Sequence, residues 1–388
     1  MRGSLKLFTM FGIPVHLHWS FGLILLYAFY TGWSQGAGLI GAVWVVGLFV
    51  SLFGCVLLHE FGHALTARRY GVQTQDIILT PIGGIARLER MPEKPAQEFW
   101  VAIAGPAVNV VIAILLFFLG KILYDGEIWD LFQAIALDHF RPEGQEMAPE
   151  IASETGIQPS GFLFFLPILL STNLLLVAFN LIPAFPMDGG RVFRALLAMR
   201  LGRVRATEIA AGVGQLLAVG FIGFGLWNGQ FMLALIGLFV FTTARNENLM
   251  VRTDAMLAQF TARDLMRPTF TRLSANDWMQ TPISLLQQGL ERNFLVFDFE
   301  DNLVGVLEED NIIAALKKRD LSAPVANYMQ TEWESVDARE SLRYVYHLIR
   351  QKGHGILPVV TTTGIVGVID EAGLLYFMGL QGNLSQKS

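Results

Sequence analysis

WVVGLFVSLFGCVLL (residues 44–58) runs into LLHEFGHALTARRYG (57–71), and this junction decides the fold. The first stretch has the composition of a segment inside a membrane. The second carries His59, Glu60 and His63 as H-E-x-x-H. On a helix, positions i and i+4 share a face, so both imidazoles can hold one zinc ion. Glu60 stands beside them, placed to accept a proton from water. Hydrolysis needs water and lipid excludes it, so the site requires a wet pocket at the end of an apolar helix.

Composition supports the membrane reading. The chain has 388 residues, is 53% hydrophobic and has a mean hydropathy of +0.47. Only 16% of residues are charged, against roughly 25% in soluble domains. The apolar excess lies in residues 1–245. A membrane domain over 1–250 followed by a soluble domain over 251–380 is therefore expected. The net charge of −5 gives no nucleic-acid footprint. One cysteine excludes an internal disulfide framework and fits a reducing compartment. Cys55, one turn before His59, reads as a packing residue. No cleavable signal peptide is evident.

Apolar runs near 17–34, 40–62, 99–120, 161–182, 206–227 and 230–244 predict six spans. Residues 64–98 and 191–205 are rich in arginine, whereas 122–160 are acidic. The first two read as cytoplasmic loops and the third as external, which puts both termini in the cytoplasm of a multi-pass membrane protein. SLKLFTMFGIPVHLHW (4–19) reads as a strand lying on the membrane domain, with His16 and His18 interfacial. VQTQDIILTPIGGIARLE (72–89) reads as a hairpin or re-entrant sheet, with Gly83 and Gly84 permitting a bend or close backbone approach. An exposed strand edge there would pair with an unwound substrate, so Gly83 and Gly84 are candidate substrate-binding positions.

A third zinc ligand is expected in NLIPAFPMDGGR (180–191). Asp188 is a carboxylate at membrane depth, where acids are costly and usually functional. Pro183 and Pro186 break the helix before it and let the backbone turn inward.

HEFGH on the second span and NLIPAFPMDGGR on the fourth resemble the site-2 protease family of intramembrane zinc metalloproteases. GPAVN (105–109) and PIGG (81–84) resemble further features of that family. The resemblance implies one Zn2+ held by His59, His63 and Asp188, with Glu60 as general base. It also implies that Asn180 hydrogen-bonds the substrate or the oxyanion. The implied substrates are transmembrane proteins in the lipid bilayer of a prokaryotic-type cell membrane, cut in regulated intramembrane proteolysis.

The soluble part is repeated. LVGVLEEDNIIAAL from Leu303 matches IVGVIDEAGLLYFM from Ile365, giving repeats at about 260–318 and 323–380. It resembles a tandem pair of cystathionine-β-synthase (CBS) domains, a cytoplasmic regulatory module that can form homodimers. Where nucleotide-binding CBS domains place Ser or Thr and then Asp, this chain has Glu308 and Asn311, then Asp370 and Gly373. Acids repel phosphate, which counts against nucleotide binding. The fold expected is a polytopic α-helical membrane domain with a small membrane-associated β-sheet, followed by a soluble α/β CBS module. The competing reading is a CBS-gated ion transporter or channel, but the spans show no inverted repeat and an ion path would not need Glu60 beside His59.

Overall fold

The structure, a computed structural model, describes residues 3–34, 38–81, 83–89, 92, 94–123, 165–289 and 291–385. The acidic stretch 122–160, used above to assign the outer side, lies almost wholly outside the described residues. The chain divides into two compact units, Met1–Leu249 and Met250–Ser388.

Among the described residues, the first unit combines seven helices, the last running past Leu249, with one sheet. Helices α1 (Phe21–Gly32), α2 (Gly38–Arg69) and α3 (Pro95–Leu123) are followed by α4 (Phe165–Asn180), α5 (Asp188–Leu201), α6 (Arg203–Trp227) and α7 (Phe231–Leu257). Among the described residues, α2, α3 and α6 are long and apolar enough to cross a membrane, and α1 and α4 are shorter apolar helices. Residues 191–205 are not a loop, as the count of arginines suggested. They form most of α5 and the start of α6, and Arg194 is fully buried. The break expected at Pro183 and Pro186 is present: α4 ends at Asn180 and a turn leads into α5 at Asp188.

The N-terminal segment forms two strands rather than one. β1 (Ser4–Met10) and β2 (Ile13–His18) make a hairpin. Phe11 and Gly12 at its tip both have positive φ, the geometry of a tight hairpin turn. β3 (Thr74–Thr80) and β4 (Gly83–Leu88) form the second hairpin. The four strands join in the order β1-β2-β3-β4, with β2 parallel to β3. Ile13, Val15, Ile77 and Leu79 on one face of this sheet pack on Phe61 and Ala64 of α2. Apolar burial therefore seats the sheet beside the H-E-x-x-H turn, and among the described residues β4 is one of its two edge strands.

Within the sheet, Arg87 of β4 donates to Asp76 of β3 through Nε at 2.6 Å and again through the guanidinium tip. His16 of β2 lies 3.4 Å from the same carboxylate, a more specific position than the interfacial one expected. The second unit carries two three-stranded sheets: β5 (Arg272–Ser274), β6 (Phe294–Phe297) and β7 (Leu303–Leu307), then β8 (Val336–Asp337), β9 (Ile356–Thr361) and β10 (Gly364–Asp370). In each, a parallel pair is followed by an antiparallel hairpin. The repeats exchange their leading segments. Arg267 bridges to Val368 of the second sheet, and Gln330 bridges to Val306 of the first. Neither repeat completes its sheet alone, the physical content of the sequence repeat.

The hydrogen bonds from Arg87 hold the Asp76 carboxyl below its usual pKa. A carboxylate whose folded pKa is depressed contributes stability above its unfolded value, about 3.9, and loses it as pH falls through the lower folded value. Protection of the Gly83–Leu88 amides is therefore expected to hold from neutral pH to about 4 and to fall below that. Asp76→Asn should accelerate their exchange at neutral pH roughly fivefold, about 1 kcal/mol for a partly exposed pair. Hydrogen-exchange mass spectrometry in detergent measures both.

Candidate metal centre

α2 presents His59 and His63 one turn apart, both buried, ten residues or fewer from its end at Arg69. That places them about 15 Å or less from the helix terminus. Asp188 arrives from the other side as the first residue of α5, where a helix N-terminus favours an anion. The sequence DGG makes the approach feasible. A Cβ on Gly190 would lie 2.6 Å from the Ala184 carbonyl carbon, and one on Gly189 would strike the Leu181 and Ile182 backbone. Only glycines let the turn 181–187 fold back so closely on α5.

The three side chains converge. Asp188 Oδ2 is 3.2 Å from His59 Nε2 and 3.1 Å from His63 Nε2, and the two nitrogens are 3.1 Å apart. They form a ligand-type cluster. The other ring nitrogens decide what lies between them. His59 Nδ1 is 2.7 Å from Asn109 Oδ1, and the Asn109 amide donates to Asn173 Oδ1 at 2.9 Å. Asn173 donates in turn to the Leu169 carbonyl at 2.8 Å. The chain runs in one direction, so Asn109 Oδ1 accepts and His59 Nδ1 carries the proton. His63 Nδ1 donates to the Val101 carbonyl at 2.7 Å. In the neutral form of each ring, with the proton on Nδ1, Nε2 turns a lone pair towards the carboxylate oxygen, as metal ligation requires. Three lone-pair donors this close repel one another unless a cation lies among them. Ligand bonds of about 2.0–2.1 Å in a tetrahedron give edges of about 3.3 Å, so the set fits zinc.

α3 makes room for the ring pair. A Cβ on Gly105 would fall 2.7 Å from His59 Nε2 and closer still to His63 Nε2. Glu60 points to the sheet, where Oε2 accepts the Ala86 N–H of β4 at 3.0 Å. That N–H leaves the free side of the edge strand, so the edge of β4 faces the carboxylate. Gly84 lies against the same side chain, with a Cβ position 2.6 Å from Glu60 Cγ, whereas Gly83 has open space. Asn180 ends α4, half-buried, at the start of the turn that leads to Asp188. Cys55 packs with Leu48 and Leu169 and is not part of the ligand cluster.

Sequence reasoning assigned no role to Asn109, Asn173 or the Val101 carbonyl. Two uncharged amides inside apolar spans were the available signal for the first pair, because such groups need partners in lipid. A backbone carbonyl leaves no signal.

Together, a buried His-His-Asp set, an adjacent glutamate and apolar helices long enough to span define a membrane zinc metalloprotease. Residues 47–221 match the family model "Peptidase family M50", and residues 325–379 match the CBS domain. A zinc metalloprotease of Methanocaldococcus jannaschii is 35% identical over 268 residues, 69% of this chain and 67% of that protein. A Synechocystis sp. protein provisionally named a zinc metalloprotease is 30% identical over 97% of this chain and 95% of its own length. The solved site-2 protease from M. jannaschii is 34% identical, covering 63% of this chain and 95% of that one, with a TM-score of 0.40. The chain belongs to peptidase family M50, the site-2 protease zinc metalloproteases, and carries a C-terminal CBS domain. The ion-transporter reading is not favoured by these matches.

Replacing Asn109 by leucine keeps the volume but removes the acceptor that sets the His59 tautomer. Zinc affinity should fall tenfold to a hundredfold, the usual effect of losing such a partner. Chelator competition on the detergent-solubilised protein measures it.

Proposed function

We propose that this enzyme hydrolyses peptide bonds within or near the transmembrane segments of membrane proteins, with His59, His63 and Asp188 holding zinc and Glu60 as general base. Bound there, zinc supplies a Lewis acid that brings the pKa of a water to about 7. Glu60 takes the proton from the attacking water and returns it to the leaving amine. Asn180 is assigned to hydrogen-bond the substrate beside the scissile carbonyl.

The observation that carries the substrate class is the Ala86 N–H bond to Glu60 from the free edge of β4. A transmembrane helix satisfies its own carbonyls, and each backbone group freed in lipid costs several kcal/mol without a partner. A strand edge supplies partners by β-augmentation. An extended substrate laid along Gly83, Gly84 and Ala86 would take up that N–H and free the Glu60 carboxylate. Pairing and release of the base would then occur together.

The remaining architecture follows from charge. Arg68 and Arg69 end α2 on the side of the site, Arg191 stands in the first turn of α5, and Arg200, Arg203 and Arg205 flank the α5–α6 junction. Basic residues mark the cytoplasmic face, so the site opens there, the chain crosses six times, and both termini with the CBS pair are cytoplasmic. The pair is assigned a regulatory role, by sensing a ligand or partner or by dimerising. Its cleft of about 710 Å³ is lined by Glu291, Glu308, Glu309, Asp310, Asp370 and Glu371 against Arg267 and Arg292. Asn311 is engaged with the Tyr328 carbonyl at 2.9 Å and Asp370 with the Gly373 N–H at 2.7 Å. This charge balance disfavours a phosphate-bearing ligand.

Glu60→Gln should keep zinc at the wild-type level and cut turnover by about 10²–10⁴. The assay is cleavage of a single-span test protein, with helix-breaking residues in its span, co-reconstituted in liposomes. Cleavage at the wild-type rate would contradict the assignment.

A further inference from the structure

One stripe of α3 supports the metal centre. Glu98, Val101, Gly105 and Asn109 recur every three or four residues and are all buried. Val101 fixes His63, Asn109 fixes His59 and Gly105 leaves space for both rings. Asp188 has no such support of its own. Among the described residues, the polar atoms within hydrogen-bonding distance of its side chain are the two ligand nitrogens of His59 and His63. Its position must come from its mount, the first turn of α5.

That mount is tied down by Arg194, the largest fully buried side chain among the described residues, 1% exposed. Its Nε donates to Glu98 Oε1 at 2.7 Å, and one terminal nitrogen reaches the same oxygen. The other terminal nitrogen bonds Glu247 of α7. The guanidinium carbon lies 5.0 Å from the centre of the Phe185 ring, three residues before Asp188. One side chain thus grips the first position of the α3 stripe, α7, and the turn that delivers Asp188.

A buried ion cluster is a poor way to stabilise a bundle, because apolar residues of equal volume often serve as well. Charges inside membrane proteins are costly and are kept where they have a use. A guanidinium fork fixes register, since its planar donors bond in set directions. We propose that Arg194 is a positioning residue for the metal centre: anchored by Glu98 and Glu247, it holds α5 at the register where Asp188 completes the ligand set. This rests on the reading of Asp188 as the third zinc ligand.

The test uses the full-length protein in detergent, with zinc affinity from chelator competition, the visible spectrum of the Co2+-substituted form, and thermal unfolding of the metal-free form. Arg194→Met should weaken zinc binding about tenfold or more and change the cobalt bands. Arg194→Lys, which keeps the charge but loses the fork, should fall between. Should Arg194→Met not fold, the triple variant Glu98→Met, Arg194→Met, Glu247→Met carries the test. It removes every charge of the cluster together, and it should stay folded yet bind zinc weakly. Wild-type zinc affinity and cobalt bands in whichever of these folds, with only metal-free stability lowered, would make Arg194 a structural residue and overturn the proposal. Asp188→Ala is measured in parallel. Wild-type zinc affinity there would overturn the ligand reading itself, and the Arg194 proposal with it, whatever the Arg194 variants do.

Discussion

Two imidazole nitrogens and a carboxylate oxygen, all acceptors, are packed within 3.1–3.2 Å of one another inside an apolar bundle. A divalent cation among them would satisfy all three lone pairs at once. Much of the surrounding structure serves to keep the three atoms acceptors and keep them together. Asn109 and Val101 hold protons on the far nitrogens of the rings. Gly105 removes the one Cβ that would separate the rings from α3, and Gly189 and Gly190 let the Asp188 turn close. The relay from His59 through Asn109 and Asn173 ends on a backbone carbonyl, so each amide is satisfied where water is scarce.

In the proposed function, bringing water and an unwound substrate to such a place is the second physical problem. The sheet seats an edge strand against α2. Its inner face is apolar and packs on Phe61 and Ala64, which brings Ala86 within reach of Glu60. The Arg87–Asp76 pair ties the edge strand to its neighbour. Glu60 and the edge of β4 are therefore joined by a hydrogen bond, and in the proposed function a substrate that paired with the edge would also act on the base.

Local chemistry was legible in the sequence. H-E-x-x-H on an apolar run, an acid after a proline-broken span, glycines beside it and a β-branched segment between spans each have a short-range cause. The structure brings His59, His63 and Asp188 together and forms the hairpin at 72–89. The sixty-two-residue repeat was also legible, because each repeat keeps its own strand–strand–helix pattern. What was hidden depends on distant partners. Arg194 was counted with solvated arginines, since charge alone does not reveal that Glu98, ninety-six residues earlier, is waiting for it. Asn109 was one polar residue in a span until His59 gave it a role. The N-terminal segment read as one strand because Phe11 and Gly12 hide their turn in positive φ, and phenylalanine is not a turn residue by composition.

X-ray absorption at the zinc edge, on the purified full-length protein, tests the central claim most directly. About one zinc per chain is expected, with two imidazole nitrogens and light oxygen scatterers bound directly to it. A sulfur scatterer near 2.3 Å would bring Cys55 into the site, and a shell without imidazole would remove His59 and His63 from it. Either result would contradict the ligand set on which the arrangement of α2, α3 and α5 depends.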